Sequence, residues 1–272
     1  MDTARSTRPF RFGVVAARAA DGADWTRIVR RLEGQGFGTL LVPDRAGMAL
    51  AVGPALAAAA TVTERLRIGP YVLAAGSRHP DDVVAEMATL NLLSGGRLDV
   101  GVGAGLSPTA SVMQVRALLE ALRADPPERF YPRPPAAPLL LAAGGPRMLA
   151  LAAELADTVA LATRDLSETG VSAPVAILDE LGATAERLLA LQLVTGPDVT
   201  PDPGAAHRLR AMFGTTVEEL VAAGSPFVLD GTVTKQVDQL ERLREKYGIS
   251  YVTVPVESAD ALEPVVARLT GR

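Results

Sequence analysis

His79-Pro80-Asp81-Asp82 opens a helical run that ends at Leu90-Asn91-Leu92-Leu93. Ser94-Gly95-Gly96-Arg97 then leads into Leu98-Asp99-Val100-Gly101-Val102-Gly103-Ala104-Gly105. A proline just inside the start and acidic groups in the first turn suit the positive end of a helix. The paired glycines allow a tight turn. Leu98 to Val102 reads as a buried strand with a glycine-lined exit. Helix, turn, strand and open tip make one unit of an α/β fold, in which ligands bind past the carboxyl ends of parallel strands.

The same alternation continues on both sides. Upstream, strands are expected at Phe12 to Ala16, Thr39 to Val42 and Leu66 to Leu73, with helices at Asp24 to Gln35 and Pro54 to Glu64. Downstream, strands five to eight are expected at Leu139 to Ala142, Thr158 to Ala162, Arg187 to Val194 and Tyr251 to Val256. The helices between them are Ser111 to Arg123, Arg147 to Ala156, Ala205 to Phe213, Val217 to Ala223 and Val233 to Tyr247, with Ala259 to Leu269 closing the chain. Residues 164 to 185 show little regular signal. The strands are continuous apolar runs, as in a parallel sheet covered by helices. Eight such units over 272 residues match a (β/α)8 TIM barrel, typically about 250 residues long. A doubly wound open sheet would need a glycine-rich phosphate loop after strand one, where Arg18-Ala19-Ala20-Asp21-Gly22 has no such pattern. One barrel domain over residues 1–272 is expected.

Composition narrows the function. A net charge of −4 gives no electrostatic footprint for nucleic acid or an anionic membrane. With no cysteine and two histidines, His79 and His207, thiol chemistry is excluded and no local metal motif can be assembled. The polar start, Met1 to Pro9, lacks the apolar stretch of a signal peptide, and Met48 to Val62 is too short and weakly hydrophobic to span a bilayer. A soluble cytoplasmic protein acting on a small molecule is expected.

Several segments could carry chemistry. Ala142-Ala143-Gly144-Gly145-Pro146-Arg147-Met148 joins strand five to its helix. Backbone N–H groups at such a helix start can hold a phosphate, with Arg147 as counter-ion; a tight turn that holds nothing is the alternative. Gly101, Gly103 and Gly105 either make room for a flat ring or serve close packing. Asp44 and Arg45 sit at the tip of strand two, where barrel catalytic groups belong, and could equally be an ion pair. His79 is a candidate base or simply a capping residue.

With those pieces in place, the chain resembles the luciferase-like monooxygenase superfamily, in particular its F420-dependent oxidoreductases. The resemblance is carried by Gly36 to Asp44, Arg65 to Gly69, His79-Pro80 through Arg97, Gly101 to Gly105, Ala142 to Pro146, Ser225-Pro226 and Gly231-Thr232. It implies a barrel that binds F420, or alternatively FMN, at the strand tips. The ring would lie against strand three, where members carry a non-prolyl cis peptide, here Tyr71-Val72, with Ala74, Gly103 and Gly105 beside it. The phosphate would sit at Gly144, Gly145, Pro146 and Arg147, and a homodimer is expected by analogy.

Two departures from the family bear on chemistry. Members of the F420 branch often follow strand two with Asp-His, the histidine accepting a proton, where this chain has Asp44-Arg45. They often place a glutamate after the strand-four glycines, where this chain has Leu106. Arginine stays protonated and leucine transfers no proton; Arg45 could instead hold an anionic substrate or the cofactor's anionic ring. Gly105 to Pro138 is also short for the family, so shortened connections after strand four are expected. Hydride exchange with F420 is the expected function. The alternatives are an FMN-dependent monooxygenase or a barrel that binds a flavin-like ligand, or nothing, without turnover.

Overall fold

Short runs of buried aliphatic residues form parallel strands, and amphipathic helices between them cover the outer faces. The computed structural model describes residues 8–45, 47, 50–105, 111–124, 136–197, 199 and 203–272. In chain order the elements are β1 (Arg11–Val15), α1 (Gly22–Gly34), β2 (Thr39–Val42), α2 (Val52–Val62), β3 (Arg67–Pro70), β4 (Leu73–Ala74), α3 (Pro80–Leu93), β5 (Val100–Gly103) and α4 (Val112–Arg123). There follow β6 (Leu139–Ala143), α5 (Pro146–Leu155), β7 (Thr158–Leu161), α6 (Thr169–Glu180), β8 (Glu186–Ala190), β9 (Leu193–Val194), α7 (Pro203–Phe213), α8 (Val217–Ala222), β10 (Val228–Leu229), α9 (Val233–Tyr247), β11 (Ile249–Pro255) and α10 (Ala259–Leu269).

The strands pair in the order β3-β2-β1-β11-β8-β7-β6-β5-β4. Since β3 and β4 are consecutive halves of one stave, the ring has eight staves. It closes where Asp99 N donates to Ile68 O at 2.9 Å and Ile68 N to Arg97 O at 2.9 Å. The expected TIM barrel is therefore the observed fold.

Two predicted strands are each divided. The third breaks at Tyr71–Val72, whose peptide bond is cis, as the family resemblance implied. The seventh ends at Ala190, and Leu193–Val194 leaves the barrel to pair with Val228–Leu229. Helix α6 went unseen because Gly170 and Pro174 lie inside it, residues of low helix propensity. Packing overrides them: Gly170, Val171, Pro174, Val175 and Leu178 are buried, and a β-carbon on Gly170 would meet Asp165 O at 1.8 Å. Of the connection from β5 to β6, residues 106–110 and 125–135 lie outside the described residues, Leu106 among them, and the described part is α4.

The Ser94-Gly95-Gly96-Arg97 turn explains itself in physical detail. Gly95 and Gly96 have φ of +65° and +85°, the left-handed region that favours glycine. The chain reversal they permit returns Arg97 under the end of α2. Its guanidinium donates to Leu66 O at 2.6 Å, Ala60 O at 2.9 Å and Thr63 O at 3.1 Å. Carbonyls left over at a helix end thus gain a charged donor.

Inside the ring, the amino-terminal end is sealed. Arg11 pairs with Glu186 at 2.7 Å and Asp99 at 3.0 Å, and Arg67 with Asp99 at 2.6 Å. The Arg11 guanidinium also stacks 4.4 Å from the Tyr251 ring centroid. Burial works against the Arg11 charge, yet Tyr251, Glu186 and Asp99 hold its pKa above the ordinary arginine value. Above this floor a small apolar layer of Leu140, Ala160, Leu188 and Tyr251 fills the interior. Among the described residues, the interior opens at the carboxyl ends of the strands.

Candidate functional site

At that open end lies a cavity of ≈ 770 Å³, within the range of small-molecule sites. The stave tips build it in order round the ring. Pro43, Asp44 and Arg45 follow β2; Tyr71, Val72 and Ala74 form the bend of the third stave; Gly103, Ala104 and Gly105 end β5. Asp44 Oδ2 lies 3.5 Å from the Ala74 N–H, and Tyr71 N donates to Val42 O at 2.8 Å, so the second and third tips are tied together. Burial pushes the Tyr71 hydroxyl up to about 12, with Thr253 pulling the other way; the phenol keeps its proton at neutral pH.

The strand-four glycines serve close approach. A β-carbon on Gly101 would meet Pro70 O at 2.3 Å, and one on Gly103 would meet Val72 Cγ2 at 2.6 Å. Gly105 has a φ of +69°, and its β-carbon would meet Ala74 Cβ at 2.6 Å. Their absent side chains let the bent third stave press against β5 while Gly103 and Gly105 still line the cavity.

Across the opening, Gly144 and Gly145 lead into α5 with Pro146 at its first position. Gly145 is the N-cap, and no side chain caps this helix. Pro146 has no N–H, and the Met148 and Leu149 N–H groups donate to Gly145 O at 3.0 and 2.9 Å. The helix dipole and the remaining N–H groups at this turn are what an anion would meet. Pro146 and Arg147 are exposed and do not border the cavity. His79 does not border it either. Its Nδ1 accepts from Asp81 N at 3.3 Å, its side chain is 69% exposed, and it caps α3, the blander of its two sequence readings.

The remaining wall includes Met148, from the Ala142 to Met148 segment though without a role assigned there, and residues that the sequence did not single out. Met148 stands in the first turn of α5, Thr163 and Leu166 follow β7, and Gln192 follows β8. Their signal was positional, since each stands at or just past a strand tip. Phe227 had no such signal, because it enters through β10, a two-residue strand outside the barrel. Among the described residues no group of three or more His, Asp or Glu is placed to hold a metal, and no described helix is long and apolar enough to cross a membrane.

A model of the luciferase-like monooxygenase family matches residues 8–115. An F420-dependent glucose-6-phosphate dehydrogenase of Beutenbergia cavernae is 31% identical over 242 residues, covering 73% of this chain and 71% of that protein. The chain belongs to the luciferase-like monooxygenase family. Luciferase-like folds also lead the solved structures it resembles. The coenzyme F420-dependent tetrahydromethanopterin reductase of Methanopyrus kandleri superposes with a TM-score of 0.69 at 18% identity, covering 96% of this chain and 100% of that one. A monooxygenase of Streptomyces bottropensis does so at 0.67 and 19%, covering 95% and 98%. These two likenesses concern the fold alone. Within the luciferase-like fold, the cis bond at Tyr71–Val72 and the uncapped start of α5 face one cavity from different staves, and Asp44 and Arg45 are the charged residues on its lining.

Proposed function

We propose that this protein is an F420-dependent oxidoreductase that exchanges hydride with a small organic molecule. The observation that carries the proposal is the cavity itself, at the strand tips, with a bent apolar stave on one side and a helix start without a side-chain cap on another. A planar ring with an anionic tail fits such a space. Gly144 and Gly145, with the start of α5 at Pro146 and Arg147, would hold the phosphate. Tyr71, Val72 and Ala74 would back the ring, with Gly103 and Gly105 beneath it. A β-carbon on Gly145 would meet nothing within 4 Å, so the cradle has room for a ligand.

When bound, F420 supplies a ring carbon that takes up or gives up hydride. The chain excludes water with Met148, Leu166 and Phe227 and orients both reactants. Asp44 is the carboxylate on the cavity lining and the group placed to exchange a proton there at Oδ1 or Oδ2; Arg45 and Tyr71 hold theirs. His79 has no part in the proposed site. The 31% identical dehydrogenase supports F420 over FMN. A cytoplasmic homodimer is proposed with it, on the cysteine-free, net-negative composition and on family analogy.

Titration of the purified chain with F420 at micromolar concentration should quench the cofactor's fluorescence saturably, with FMN binding more weakly. Tighter FMN binding would transfer the chain to flavin monooxygenase chemistry. No response to either would leave a barrel without a redox role.

A further inference from the structure

Arg45 is half-buried on the cavity lining. Four other arginines withdrawn from solvent are tied down, Arg11 and Arg67 by Asp99, Arg187 by Asp179 and Tyr247 O, and Arg97 by the carbonyls that end α2. Arg208, away from the cavity lining, also keeps a buried nitrogen without a partner among the described residues. The Arg45 side chain has no ion-pair or hydrogen-bond partner among the described residues. Its neighbour Asp44 turns toward the Ala74 amide instead. A partly dehydrated guanidinium without a counter-charge is unfavourable, and its planar fork matches a carboxylate or phosphate bidentately.

The topology says which anion. The helix start at Gly144–Gly145 follows β6, three staves round the ring from β2. A cofactor whose tail lies at β6 and whose ring leans on the third stave presents its phosphate away from Arg45. What packs beside the tip of β2 is the molecule lying over the ring.

We infer that Arg45 is a specificity-determining residue that reads an anionic oxo group, carboxylate or phosphate, on the substrate. The assignment rests on the cofactor reading above. Neutral alcohols and sugars are then poor substrates, and an organic acid or phosphate ester is the fitting class.

The test separates the two layers. F420 affinity of the wild-type chain and of Arg45→Gln is measured first by fluorescence quenching. Benzoate, phenyl phosphate and neutral benzamide are then titrated calorimetrically into the F420-loaded and unloaded proteins. The expected result is that one of the two anions binds about tenfold tighter than benzamide to the wild type, a preference reduced to near unity in Arg45→Gln at unchanged F420 affinity. Which anion wins tells carboxylate from phosphate. Equal binding of all three probes to the wild type, or a loss in Arg45→Gln that falls on F420 and leaves the probes unaffected, would overturn the inference. If F420 does not bind, the cofactor reading fails separately, and the unloaded titration still decides whether Arg45 reads an anion.

Discussion

Gly144 and Gly145 are adjacent, yet different physics keeps each of them glycine. A β-carbon on Gly144 would stand 1.9 Å from Ala162 O, so the turn and β7 would have to part. Gly144→Ala should cost about 2 kcal/mol, the usual scale of overpacking, measured as a lower urea midpoint. Gly145 has an extended backbone, with φ −89° and ψ 157°, and open space where a side chain would go. Aspartate there is a favoured N-cap whose charge suits the helix dipole. Gly145→Asp should therefore melt no lower than the wild type, yet bind F420 more than about tenfold worse, because its carboxylate occupies the phosphate cradle. Unchanged affinity in that variant would remove the start of α5 from the site. The same contrast holds for His79, which sequence alone left between base and cap. In the structure its side chain is largely exposed and caps α3.

At the scale of elements, the helices are held to the barrel by a few polar clamps. Glu33, in the last turn of α1, accepts on Oε1 from the N–H groups of Glu64, Arg65 and Leu66 at 3.0, 2.7 and 2.8 Å. Those are the residues that lead from α2 into β3. Burial by itself would raise the Glu33 pKa, but the three amides outweigh it and hold the carboxylate below its ordinary value. A lowered folded pKa means stabilisation that is full above the unfolded glutamate pKa of about 4.3 and lost as pH falls through the folded value. Glu33→Gln, which keeps an acceptor and loses the charge, should cost about 1 kcal/mol at pH 7. The gap to the wild type should narrow in urea melts below about pH 4. Equal stability of the two chains at neutral pH would show that the clamp carries no weight. Element boundaries followed local chemistry closely where caps were present: Ser111 with Gln114, Thr216 with Glu219 and Thr232 with Lys235 mark the starts of α4, α8 and α9. They failed where packing overruled propensity, as in α6.

For the whole molecule, the proposed homodimer is tested by light scattering of the full chain at micromolar concentration, with the mass of two chains expected; a single-chain mass would remove it. The eight-stave order, the glycine turn before the fourth stave and the positions of the strand tips were legible from the sequence alone. Each arises from propensity, capping and apolar spacing acting within about a dozen residues, and the family resemblance added the bend at Tyr71–Val72. Which side chains meet was decided by closure of the ring. Arg11 finds Glu186 across 175 positions of chain, and Phe227 reaches the cavity through a two-residue strand that lies outside the barrel. Among the described residues Arg45 faces the cavity without a counter-ion, since Asp44 turns to the third stave. No local pattern encodes such meetings, since they depend on where distant strands come to lie.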